Sequence, residues 1–135
     1  MTKANSKVDK AELICYNTSM INKDFADFQK YFKKYQKLLG LTGYKVYFEY
    51  KPLDSSFAEI TGSQTNMVVT VRLNSNLPGK DKPHKDIRRS AMHEAIHLLL
   101  HRLESRACER YVHSDQIYEA VEEIVCKLEG LIKSR

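Results

Sequence analysis

The sequence predicts an α+β fold: a small, antiparallel-containing three-stranded sheet packed against an N-terminal helix, a long middle helix and a C-terminal helix. Three observations predict it. A three-to-four-residue apolar repeat fills residues 23–39 and returns after Pro83. Between those stretches the period drops to two. The 135 residues fit one compact domain, and at 42% hydrophobic residues, with eight Tyr and five Phe, they supply an ordinary core.

The elements follow in order. Residues 1–21 form a segment without a clear pattern, and residues 22–135 form the domain. In 23–39, Phe25, Phe28, Phe32, Tyr35, Leu38 and Leu39 recur at helical spacing. Asn22 can cap the start and Gly40 can end the helix. Tyr44, Val46, Phe48 and Tyr50 then alternate with Lys45, Tyr47 and Glu49, which describes a half-buried strand. Phe57 to Thr61 is a second short strand, Gly62 to Asn66 a turn, and Met67 to Leu73 a third strand, so a hairpin joins the last two. Asn74 to Lys82 is a loop. Pro83 stands where a first-turn proline belongs, and the helical pattern runs from there to about Arg110. Ser114 or Asp115 can cap a last helix reaching about Ile132, with Ile117, Val121, Ile124, Val125, Leu128 and Leu131 inward.

Composition narrows the function. No apolar run approaches the roughly 18–20 residues that span a bilayer, and Met1 to Lys10 lacks the apolar stretch of a secretory signal. Cys15, Cys108 and Cys126 are odd in number and widely spaced, which speaks for reduced, mostly buried thiols in a cytoplasmic protein. The net charge of +5 comes largely from Lys30, Lys33, Lys34 and Lys37 and from Lys80 to Arg89. Nucleic-acid binding through these lysines, Arg88 and Arg89 is one reading. A solvated helix face is the other, and the shortness of the blocks favours it.

One motif carries chemistry. His93-Glu94-Ala95-Ile96-His97 is H-E-x-x-H inside the predicted middle helix. Residues four apart share one helical face, so two imidazoles can hold one tetrahedral zinc ion. Glu94 is turned about 100° from His93, beside the ion, where its carboxylate can take a proton from zinc-bound water. Zinc also needs a third protein ligand. His101 continues the series but lies roughly 12 Å along the axis from His93, and Glu104 is farther. The last helix offers Glu119, Glu122 and Glu123. With its apolar stripe centred near Leu128, Glu122 leans most inward, about 120° from the centre. His113, in the connecting loop, is a further option.

The motif and its surroundings, from Met67 to Leu100 and again in Glu119-Ala120-Val121-Glu122-Glu123, resemble the zincin metallopeptidases. They look most like the short, gluzincin-type zinc metallopeptidases often encoded by phages and prophages. The resemblance covers roughly residues 44–132. It implies a minimal zincin-like fold with the motif helix beside an edge strand. It implies zinc on His93 and His97, Glu94 as the base, and a glutamate of the next helix as third ligand. An alignment resembling the thermolysin group points to Glu119; the short phage pattern points to Glu122, which helix geometry also prefers. Peptidases similar to the Spartan group use a third histidine, at about the spacing of His113, but the glycines around that histidine are missing here. The implied function is a zinc-dependent peptidase acting on a protein or peptide substrate. The alternatives are a catalytically silent binding module of zincin shape and a nucleic-acid-associated protein.

Overall fold

In the computed structural model of the chain, residues 23–133 are described; Asn22, Cys15 and the rest of residues 1–22 lie outside them. Helix α1 spans residues 23–38. Its end is a Schellman closure. Gly40 takes φ +69°, its N–H donates to Lys37 O (3.1 Å), and Leu41 N–H donates to Gln36 O (2.9 Å). A glycine meets that backbone sign without steric cost. Gln36 Nε2 then donates to the carbonyls of Leu41 and Tyr44, which ties the helix end to the first strand.

Strands β1 (Lys45–Lys51), β2 (Ala58–Ser63) and β3 (Val68–Asn74) form one sheet in the order β1-β3-β2. β1 and β3 are parallel, with Phe48 opposite Val71, while β2 and β3 form the expected antiparallel hairpin, with Ile60 also opposite Val71. The mixed sheet therefore ends on β2, an edge strand. Gly62 is obligatory in the hairpin. A Cβ there would fall 2.4 Å from Val68 O and 2.7 Å from Val69 Cα, too close for any side chain.

The sheet is two-faced, as its period requires. Val69, Val71, Leu73 and Ala58 are buried, and Val46, Phe48, Tyr50 and Ile60 pack on them. Helix α1 closes this face with Phe28 and Phe32, both fully buried and edge-on to Phe48, while Phe25 stacks on Tyr50. The opposite face is polar: Arg72 reaches Glu49, Thr61 and Glu59.

Helices α2 (Ile87–Ala107) and α3 (Ser114–Lys133) complete the helical layer. The middle helix starts four residues later than the proline suggests. Lys82–His84 forms a separate 3-10 turn, Lys85 is extended, and Asp86 caps α2 by accepting from Arg89 N–H. It ends at Ala107 rather than near Arg110. Ala91, Ala95, Leu98 and Leu99 bury its inner face.

The inward face of α3 also differs from expectation. Ala120 is buried, and Ile124 and Leu131 pack on the core, while Val121, Val125 and Leu128 are exposed. The packed face is rotated by about 60° from a stripe centred on Leu128. The cysteines are a second correction: Cys108 and Cys126 are free and exposed rather than buried. Among the described residues, no helix is long and apolar enough to cross a membrane.

Candidate metal centre on α2

The motif occupies the second and third turns of α2, where the helix lies against edge strand β2. Two orientations on one helix make the site. Glu94 points inward and is 5% exposed; His93 and His97 are exposed one turn apart. Their rings meet at 70° with centroids 4.8 Å apart, and the two Nε2 atoms face each other at 3.1 Å. Two bare nitrogen lone pairs at that distance repel. A proton on one of them or a cation between them relieves this. Zn–N bonds of about 2.0–2.1 Å at a tetrahedral angle put two nitrogens about 3.3–3.4 Å apart. The pair thus fits a shared zinc ion with a small adjustment.

Glu94 sits beside this pair with its carboxyl held above the ordinary range. Burial is the main cause; the nearby Glu59 carboxylate adds to it, and His97 opposes it. A carboxylate raised in this way is a better proton acceptor than one in water.

Two clefts meet at the motif. One, of about 610 Å³, runs between β2 (Ala58–Gly62) and the His93, His97, His101, Glu104 edge of α2, as far as Cys108. The other, of about 400 Å³, continues past His93 and Glu94 toward His84, Asp86 and Arg89. Ser56, Ala58, His93 and Glu94 line both. The motif therefore stands midway along a groove whose far wall is the edge strand.

The loop that delivers β2 is pinned by Asn74, a buried polar residue at the end of β3. Its Oδ1 accepts from Leu53 N–H and Asn76 N–H, and its Nδ2 donates to Leu53 O and Ser56 O. Asn74 reads in sequence as the start of a loop; only its four hydrogen bonds reveal its role.

The structure places the remaining expected residues elsewhere. Glu122 is half-buried on α3, roughly 180° around that helix from Ala120, Ile124 and Leu131, and does not line the groove. Glu119 is exposed, 3.8 Å from Arg102 of α2, and Glu123 binds the same guanidinium at 2.6 Å. His113 is exposed at the start of α3, its N–H donating to Gln116 Oε1. Among the described residues, no third His, Cys, Asp or Glu joins His93 and His97 in a three-donor group. His101 lines the groove, edge-on to Tyr44, with a buried Nε2 that has no hydrogen-bond partner. Lys30, Lys33, Lys34 and Lys37 are exposed along α1, whereas Arg88 is engaged by Tyr35 Oη (2.8 Å) and the Tyr31 ring.

Comparison with known proteins finds no match: no family model, curated protein or solved structure matches this chain.

Proposed function

We propose that this chain is a zinc-dependent metallopeptidase. The observation that carries the reading is the facing pair of Nε2 atoms at 3.1 Å, set beside the buried Glu94 carboxylate in a groove against a free strand edge. His93 and His97 would hold the ion as neutral imidazoles. The third ligand is proposed from Glu119, which faces α2 beside Arg102, with His113 as the alternative; Glu122 points to the opposite side of α3, away from the groove. Zinc, when bound, supplies a Lewis acid that brings water's pKa toward neutrality and polarises a carbonyl.

The chain's own residues supply the rest. Glu94 accepts a proton from the attacking water and passes it to the leaving amine nitrogen, so one carboxylate serves as base and then acid. A protein or peptide substrate lies extended along β2, pairing with the edge strand's unpaired backbone groups. The two clefts then take the residues on either side of the scissile bond. The free, exposed thiols Cys108 and Cys126 suit a reducing cytoplasmic setting.

The test is Glu94→Gln against wild type, with a quenched-fluorescence peptide library and zinc content measured together. Loss of about 10²–10⁴-fold in hydrolysis with zinc retained is the expected result. A biological effect that survives Glu94→Gln unchanged would replace this reading with the catalytically silent binding module.

A further inference from the structure

We infer that the outer face of α3 is a docking seam for an amphipathic helix of another protein, one with a basic flank. The inference is independent of the chemistry at His93. Tyr118, Val121, Val125, Leu128 and Ile132 follow one another at steps of three, four, three and four residues. That is the spacing of a coiled-coil seam, in which alternate apolar knobs enter a partner helix. All five are solvent-exposed, at 64%, 38%, 47%, 39% and 73%. The helix packs on the core through Ala120, Ile124 and Leu131, and among the described residues the seam is left exposed. It also lies on the side of α3 away from the Glu119 and Glu123 contacts to α2, which leaves the groove at His93 free.

Charge selects the occupant. Asp115, Glu122 and Glu129 recur every seven residues along one side of the seam. Among the described residues Glu129 is engaged by an exposed ion pair with Lys133, four residues on, which is a weak and exchangeable contact. The opposite flank is Ile117, Ile124 and Leu131, with no charge. A second copy packed antiparallel would set the acidic rows against each other. Packed parallel, it would set them against apolar side chains. Neither arrangement neutralises the row, whereas a partner helix with Lys or Arg beside its own seam does.

The test uses the full chain and two labelled synthetic helical peptides. Both carry apolar residues at alternating three- and four-residue steps; one has Lys along the flank and the other Glu. Fluorescence anisotropy should show binding of the Lys peptide at least tenfold tighter than the Glu peptide. Val125→Ser with Leu128→Ser should weaken that binding at least tenfold without changing the circular dichroism. Asp115→Lys with Glu129→Lys should reverse the preference between the peptides. Equal affinity for both peptides overturns the proposal. So does a wild-type chain that sediments as a dimer and becomes a monomer on Val125→Ser, which makes the seam a self-interface. A monomer that binds neither peptide also overturns it.

Discussion

Glu94 is the residue at which stability and chemistry oppose each other. Its carboxyl is buried and held above the usual range, so the folded chain keeps this proton to higher pH than the unfolded chain does. The sign follows from linkage. Where the folded state binds more protons than the unfolded state, stability falls as pH rises. For Glu94 the loss begins near the ordinary value of 4.5 and is complete once pH passes the raised folded-state value. Glu94→Gln keeps the shape and removes the charge. In zinc-free protein the variant should be more stable than wild type at neutral pH, and the gap should close as pH drops toward 4.5. Thermal melts across that range check this; a gap that widens on acidification would contradict it. Asn74 works the other way, since its side chain satisfies four backbone groups. Asn74→Ala should cost about 1–3 kcal/mol in urea unfolding, because buried backbone groups lose their partners. It should also lower any activity that depends on the position of β2.

At the scale of elements, the β2–β3 hairpin makes the sharpest demand. Gly62→Ala puts a methyl group against the backbone of Val68 and Val69 and should destabilise the fold by about 1–3 kcal/mol, read as a lower urea midpoint. A midpoint equal to wild type would mean that the hairpin opens without consequence elsewhere. The same elements show what the sequence reveals. The alternation from Tyr44 to Tyr50 identifies β1, because a strand buried on one face must alternate. Gly40 ends α1 as its conformational freedom allows. The motif spacing places His93 and His97 together, because helix geometry leaves no other arrangement. The rest was hidden for physical reasons. Pro83 starts a 3-10 turn rather than α2, since a fixed φ serves either helix equally well. The inward face of α3 differs from the sequence pattern because Val121, Val125 and Leu128 are apolar yet exposed. An apolar pattern marks a surface to be covered without saying that the core covers it. The third ligand depended on that face, and the placement of Glu122 in sequence moved with it.

Across the whole molecule, one helical layer on one sheet face carries the core, and the groove is the seam between α2 and the sheet edge. Phe32 of α1 is fully buried, edge-on to Phe48 of β1. Phe32→Ala should cost about 3–5 kcal/mol, a large part of the roughly 5–15 kcal/mol that holds a domain of this kind together. Chemical denaturation should show a much earlier midpoint with the same slope. The lysine row on α1 stays in solvent, with Lys33 also over the Phe48 ring at 5.7 Å. The groove and the α3 seam occupy separate surfaces, so the proposed substrate and the proposed partner helix would not compete.

The zinc site proposed at His93, Glu94 and His97 can be tested without knowledge of a substrate. The most direct measurement is zinc content by plasma mass spectrometry on protein purified without a histidine tag. It should cover wild type, His93→Ala and the three variants Glu122→Ala, Glu119→Ala and His113→Ala. The expected result is one zinc per chain in wild type, none in His93→Ala, and loss in one of the last three, which names the third ligand. A wild-type chain that contains no zinc and takes up none when it is supplied would contradict the proposal.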